Sequence, residues 1–367
     1  GKASDGKNYP AETLAWVEPK EKDVTAAQKT YVVNYFNAFI DALMSKDFAD
    51  PVLGYQQYID VDTFIDFHIL NEFTKNIDGF RLSTFLYKDR GGKLKYGPAW
   101  DFNLSTGNAN YNDGWLATGW YYNLISGTDY PWWPRLFQDP NFVQRYTDRY
   151  AALRHGALSE SQVLGQIDRD VQDLGEAEKR DHQRWPILGI YVWPNWFIGK
   201  TYAEEINFMK QWIRDRLKWM DATLGVEPNF NQNGGLINPG FSLTMAPATG
   251  TSAVYYTLDG TDPRLSGGAI SPSAVKFIDP VILNSSTRVI ARTKIGAGWS
   301  APRDVVFATA QAPLRVSEIM YHPADPPLGS PFVADDFEFL EVQNVGAQPL
   351  NVKNFRITQG VDFTFPD

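Results

Sequence analysis

The sequence predicts a multidomain mosaic: an α+β domain, mainly helical with one β-hairpin, followed by two all-β sandwich modules. Three observations carry this. Apolar residues recur at helical spacing over much of residues 25–224, the period switches once to alternation near residues 81–100, and beyond 236 only short alternating strands with Gly, Pro, Ser and Asn turns remain. A chain of 367 residues exceeds one small domain and suits two or three. We assign residues 1–225 to the first domain, 226–236 to a linker, 237–310 to the first β-module and 314–367 to a second, partial one.

The helices follow from caps and stripes. Thr25 with Gln28 forms a capping-box pattern ahead of Tyr31, Val32, Tyr35, Phe36, Phe39, Ile40, Leu43 and Met44. A second helix is predicted over 62–75, with Phe64, Ile65, His68, Ile69, Glu72 and Phe73 on one side. Further helices are expected at about 140–155, 160–183 (capped by Ser159 with Gln162) and 202–224, the last stopped by Gly225. Between these, residues 108–135 and 185–197 are loop-like and rich in Trp and Tyr.

The hairpin runs from Arg81 to Trp100. Leu82, Thr84 and Leu86 alternate with Ser83, Phe85 and Tyr87, the turn signal is Asp89-Arg90-Gly91-Gly92, and Lys93 to Trp100 returns. Either loop choice makes paired residue numbers sum to 181. Extending that ladder sets Asp78 opposite Asn103 and Phe80 opposite Asp101, so the two aspartates become diagonal neighbours about 7–8 Å apart. That spacing suits two carboxylates sharing a metal ion or a polyphosphate.

Composition narrows the function classes. A formal net charge of −9 argues against nucleic acid as a partner, because phosphate contacts need clustered Lys and Arg. With no cysteine, disulfides, thiolate metal sites and a Cys nucleophile are excluded. No run of about 18 apolar residues is present, so no membrane insertion is expected. No two of His68, His155, His182 and His322 stand at metal-motif spacing, and His68 reads as a core histidine. The chain has neither a Gly-x-Ser-x-Gly elbow nor a phosphate-binding Walker loop. Opening at Gly1-Lys2-Ala3 and stopping at Phe365-Pro366-Asp367, it is expected to be a piece of a longer protein.

The stretch Leu70-Asn71-Glu72, Asn76-Ile77-Asp78-Gly79-Phe80-Arg81-Leu82-Ser83-Thr84-Phe85-Leu86-Tyr87 and Gly97-Pro98-Ala99-Trp100-Asp101-Phe102-Asn103 resembles the core of the spore-coat protein H (CotH) kinase family, over about residues 20–220. The resemblance implies a fold like a protein-kinase C-lobe and ATP- and Mg- (or Mn-) dependent phosphoryl transfer to protein Ser or Thr. It implies Asp78 as the catalytic residue that orients the acceptor hydroxyl, Asp101 and Asn103 as metal ligands, and Asn76 and Ser83 on the cofactor. Two departures matter. Ser83 stands where kinases carry an Asn for a second metal, and Asn103 stands where active relatives often have a second acid. No N-terminal lobe is identifiable, and Lys2, Lys7 and Lys20 are candidates for its nucleotide-binding lysine only by default. Kinase activity is therefore expected of the intact parent and not of this piece alone.

Val254-Tyr255-Tyr256-Thr257-Leu258-Asp259-Gly260-Thr261-Asp262-Pro263, with Thr287 to Arg292 as its return strand, resembles the chitobiase/β-hexosaminidase C-terminal module. Val316 to Tyr321 and Phe337 to Val342 resemble the opening of a lamin-tail domain. Both resemblances imply immunoglobulin-like sandwiches, and strings of such modules imply a secreted or surface-attached bacterial protein. Glu338 and Glu341 are candidate calcium ligands or a solvated strand face. Two other functions stay open. One is a pseudokinase scaffold for surface assembly or adhesion. The other is a carbohydrate-binding or glycosidic protein, using the exposed aromatics and, in the glycosidic case, a carboxylate pair such as Asp113 and Asp129.

Overall fold

The structure, a computed structural model, describes residues 14–125, 132–247, 250, 252–310, 312–327, 329–353, 355–357, 361 and 363–366. Lys2, Lys7, Asp129 and Tyr130 lie outside these. The helices are α1 (Ala26–Met44), α2 (Val61–Thr74), α3 (Trp132–Leu136), α4 (Pro140–Arg154), α5 (Glu160–Arg184) and α6 (Tyr202–Leu224). The hairpin strands are β1 (Leu86–Tyr87) and β2 (Lys95–Tyr96). After α6 come β3 (Asn229–Phe230), β4 (Gly235–Leu236), β5 (Phe241–Leu243), β6 (Met245–Ala246), β7 (Ala253–Thr257), β8 (Val275–Lys276) and β9 (Val281–Leu283). β10 (Thr287–Ile295), β11 (Gly298–Trp299), β12 (Arg303–Ala308), β13 (Leu314–Met320), β14 (Phe339–Asn344), β15 (Arg356–Ile357) and β16 (Phe363–Thr364) follow. Helices thus fill the N-terminal part and strands the C-terminal part.

The caps act where the sequence placed them. Thr25 and Gln28 satisfy each other's backbone amides in a complete capping box at α1, and Ser159 takes the Gln162 amide at α5. α2 begins one residue earlier than expected, because Asp60 accepts the Thr63 amide. It ends at Lys75 in the left-handed region, φ 48°. α5 bends at Gly175, whose φ of 43° only glycine adopts readily.

Two compact units result. The first comprises Gly1–Asn233, Ser242–Ile282 and Thr287–Val305, the second Gly234–Phe241, Leu283–Ser286 and Val306–Asp367. In the first, α1, α2, α4 and α6 enclose an aromatic core. α2 is buried almost all round, so its seat is the middle of the domain. The same unit holds an antiparallel sheet in which β10 pairs with β7 and β11, and β7 with β8. Arg292 of β10, 3% exposed, locks this sheet onto α4. Its guanidinium donates to both Asp148 oxygens (2.7 and 2.8 Å) and to Asp262 of the β7–β8 connection (2.8 and 2.7 Å). Asn141 and Gln144 of α4 add bonds to the Gly267 amide and the Ser300 carbonyl. In the second unit β4 lies parallel to β12, β13 pairs with β14 through a bulge at Val316/Glu318, and β15 pairs with β16.

His68 is a core histidine, as its sequence position suggested. It is fully buried against the rings of Phe80, Tyr122, Trp133, Phe137 and Tyr146, with Nδ1 3.1 Å from the Tyr146 hydroxyl. Nε2 has no hydrogen-bond partner among the described residues. Burial holds the imidazole well below its ordinary pKa. Below about pH 6.5 the unfolded chain takes up this proton while the folded chain does not, so stability is complete above that pH and falls below it. Relative to His68→Phe, the wild type should lose ~1.4 kcal/mol for each pH unit below about 6.5. Urea unfolding at stepped pH measures this, and parallel slopes for the two proteins would count against it.

Candidate active site

The candidate site forms where α2 ends. The hairpin above it is short and differs in register from the sequence expectation. Leu86 pairs with Tyr96 and Tyr87 with Lys95, so numbers sum to 182 and not 181. The ladder stops just beyond, at the Gly97 amide on the Phe85 carbonyl. Pro98 has no amide to continue it. Residues 78–83 are not strand. The amides of Arg81, Leu82 and Ser83 all donate to the Asp78 carbonyl, closing a helical turn. Asp78 and Asp101 therefore do not meet through a ladder.

They meet through Asn76. This residue is fully buried, and its carboxamide spans both segments: Oδ1 accepts from the Asp78 amide (3.3 Å) and Nδ2 donates to the Asp101 carbonyl (3.1 Å). Both functions of the amide are engaged by the backbone, which makes Asn76 a positioning residue. Ser83, at the end of the turn, directs its hydroxyl at Asp101 Oδ2, 3.4 Å away. Asp78, Asn76, Ser83 and Asp101 are thus gathered in one place. Asn103 follows with an exposed side chain, its carbonyl accepting from Asn108.

Close packing sets the turn. A Cβ on Gly79 would lie 1.8 Å from Asn71 Oδ1, and the Asn71 side chain is buried and tied to the Phe67 carbonyl. Gly79→Ala must push α2 and the turn apart. It should cost about 1–3 kcal/mol and displace Asp78; urea unfolding together with ligand titration reads both effects, and an unchanged midpoint would refute it.

The Asp101 side of the site is held in unusual backbone. Asp101, Thr106, Asn112 and Asp113 have φ of 62°, 51°, 51° and 55°. Four non-glycine residues in the left-handed region within 13 positions are uncommon, and such strain gathers at functional sites. The loop is fixed from both sides. The Thr106 amide donates to the Thr74 carbonyl at 2.6 Å, and Trp212 of α6 donates to the Trp115 carbonyl at 2.9 Å.

Beneath the site lies a buried ionic knot that the sequence reading missed. Glu72 and Arg216 are both fully buried, with Arg216 Nη2 3.0 Å from Glu72 Oε2. The amides of Tyr121 and Tyr122 donate to the two Glu72 oxygens at 2.9 and 2.7 Å. Arg216 also donates to the carbonyls of Glu72, Ala117 and Gly119. Burial raises the Glu72 carboxyl and lowers the Arg216 guanidinium, and each partner opposes the other's shift. Lys75 donates to the Leu116 and Thr118 carbonyls, and burial with Arg216 nearby brings its ammonium down to about 8. A usable signal existed: Glu72 sits on the apolar face of α2, where an acid needs a partner.

The candidate cation contact is Arg81, Nη2 3.5 Å from Asp78 Oδ1. Magnesium suits the donors present. Asp101 and Ser83 offer hard oxygens, and magnesium is commonly held by one or two carboxylates plus the phosphates of its substrate. No group of three or more His, Asp or Glu able to hold a metal ion occurs among the described residues. Elsewhere, Glu341 accepts from Ser317 and faces Glu318 across the β13–β14 pair. Lys20 donates to the Val17 carbonyl. His155 and His182 pair with Glu227 and Glu178.

The two aromatic loops adjoin each other at this face. Ala109 bridges to Asn195, Tyr111 lies parallel to Trp193 (6° between planes) and Trp115 stacks on Trp196 at 4.7 Å. Two clefts, one around Tyr55, Phe142 and Arg264 and one around Tyr150, Arg154 and Arg303, do not include Asp78 or Asp101. No helix among the described residues is long and apolar enough to cross a membrane.

Against known families, residues 2–220 match the family described as CotH kinase protein. No curated protein and no solved structure matches the chain.

Proposed function

The chain belongs to the CotH kinase protein family, and from that premise we propose that the intact protein transfers the terminal phosphoryl group of ATP to a Ser or Thr hydroxyl of a protein acceptor. The single observation that carries this is the Asn76 bridge, which joins the Asp78 turn to the Asp101 segment. Asp101, with Ser83 and Asn103, would hold magnesium or manganese; the ion, when bound, neutralises charge on the phosphates. Asp78 orients the acceptor hydroxyl and takes its proton as the new O–P bond forms and ADP leaves. Asn76 fixes the spacing between these two tasks. The setting we assign, an exported or surface-attached bacterial protein, rests on the family and on the resemblance of residues 254–263 and 316–342 to modules of such proteins. Transfer of labelled phosphate from ATP to protein acceptors by the full-length protein, and its loss in Asp78→Asn, tests the proposal; a folded Asp78→Asn that keeps wild-type transfer would refute it.

One observation favours a second reading, a catalytically degenerate scaffold for surface assembly or adhesion. Residues 185–198 expose Trp185, Ile190, Tyr191, Trp193, Trp196 and Ile198, several by half their surface or more. Contiguous exposed apolar groups of this kind mark protein or carbohydrate contacts. A full-length protein that binds no nucleotide at any divalent-ion concentration would decide for the scaffold.

A further inference from the structure

Resting on the phosphoryl-transfer reading, we propose that residues 185–198, laid against the loop 108–115, form the surface on which the acceptor protein docks. The segment it takes is uncharged and apolar, with aromatic or branched aliphatic residues flanking the acceptor Ser or Thr. Three observations lead there. The first is exposure in an ordered segment. None of residues 185–198 is buried, and Trp185, Ile190, Tyr191 and Trp193 each leave more than half of their surface to solvent. Contiguous apolar surface of this kind marks a contact site. The segment is nevertheless tied down. The Asn110 amide donates to the Pro194 carbonyl (2.9 Å), the Trp196 amide to the Asn108 carbonyl (2.7 Å) and Asn110 Nδ2 to the Tyr191 hydroxyl (2.8 Å). Tyr111 lies parallel to Trp193, and Trp115 stacks on Trp196. An apolar face already ordered in the free protein loses little conformational freedom on binding.

Second, this face is continuous with the candidate active site. Asn108 Nδ2 donates to the Asn103 carbonyl at 2.8 Å, so the loop that carries the exposed segment starts beside the proposed metal ligands. Three residues on, Tyr111 joins the two. Its ring lies along Trp193, and its phenol is pushed up by burial and, after that, by the nearby Asp78 carboxylate. A hydroxyl oriented by Asp78 belongs to a chain whose neighbouring residues lie on the surface around Asp78, and Tyr111 leads that surface to Trp193.

Third, the face is uncharged. Residues 185–199 contain no Asp, Glu, Lys, Arg or His, and Asp113 is the one such residue between 102 and 119. A formal net charge of −9 draws basic segments to the protein as a whole, but this face offers them no row of acids. The aliphatic members favour protein over carbohydrate. Sugar rings stack on flat aromatic faces, which Ile187, Ile190, Val192 and Ile198 lack; these four, all exposed, gain by covering apolar side chains.

The test uses the full-length protein and three Ser peptides of equal length, with apolar, basic or acidic residues on both sides of the Ser. Transfer from Mg–ATP is measured in wild type, Trp193→Ala and Ile190→Asp, and binding of soluble oligosaccharides is titrated alongside. The apolar peptide should have the lowest KM in the wild type. Both variants should raise that KM about tenfold or more and leave kcat and the KM for Mg–ATP unchanged. A wild type that prefers a charged peptide, or a KM that neither variant moves, would overturn the docking surface while leaving the kinase reading intact. Oligosaccharide binding that disappears in Trp193→Ala while the peptide KM stays at its wild-type value would assign the face to carbohydrate and overturn the proposal. A wild type that phosphorylates no acceptor, peptide or protein, would overturn both readings.

Discussion

Arg216→Met is expected to destabilise the first unit by about 3–5 kcal/mol, the cost typical of removing one partner from a buried ion pair. The guanidinium has no exposed surface. It satisfies Glu72 from α2 and the carbonyls of Ala117 and Gly119, and it lies over the ring of Trp219 at 4.8 Å. Methionine fills much of the volume but donates nothing. Glu72 would remain buried with only the Tyr121 and Tyr122 amides and the more distant Lys75 for compensation. Because α2 runs straight into Lys75, Asn76 and Asp78, the loss should also loosen the site. Urea unfolding at neutral pH measures the effect. Removing both partners together, as Glu72→Met with Arg216→Met, should cost less than the two single losses summed, since no buried charge is then stranded. A single-variant loss below about 1 kcal/mol would show that the knot is not what holds α2, the loop and α6 together.

The second large effect falls on Asp101. Its carboxylate lies 3.4 Å from the hydroxyl of Ser83 at the end of the Asp78 turn, so the two offer hard oxygens side by side. Asp101→Ala removes the charged donor and leaves the Asn76 bond to the Asp101 carbonyl in place. The backbone link to the Asp78 turn is therefore expected to survive, and the variant should fold, at a cost of about 1–2 kcal/mol for an alanine at φ 62°. Phosphoryl transfer should fall at least about a hundredfold, the scale of a lost electrostatic or proton-transfer group. Asp78→Asn should produce a loss of similar size through a different route: it spares metal binding and removes the group that accepts the proton.

Much of the fold was legible where the signal is local. Thr25 with Gln28, Ser159 and Gly225 marked helix ends because capping is decided within four residues. The strands marked in the sequence by Val254 to Leu258, Thr287 to Arg292 and Leu314 to Met320 were legible as short β-rich runs set between turn signals. The hairpin existed as expected, but its register did not follow. Residues 81–85 alternate as a strand would, yet the Asp78 carbonyl captures three successive amides and makes a turn instead. That competition depends on Gly79 pressing against Asn71, a contact eight residues apart that no period encodes. Long-range pairing was the other blind spot. Glu72 with Arg216, and Arg292 with Asp148, are each 144 positions apart. Of the site, Asp78, Ser83 and Asp101 were identified by motif and are gathered together. Asn76, assigned to the cofactor from sequence, has its carboxamide committed to the two backbones.

The central claim is that the Asn76-bridged pair of aspartates forms a metal–nucleotide site. Calorimetric titration of ATP into the full-length protein, with and without magnesium, alongside Asp101→Ala, tests it most directly. We predict magnesium-dependent binding in the wild type that is weakened about a hundredfold or more in Asp101→Ala, as expected when a charged ligand is lost. Magnesium-dependent ATP binding that survives Asp101→Ala unchanged would contradict it.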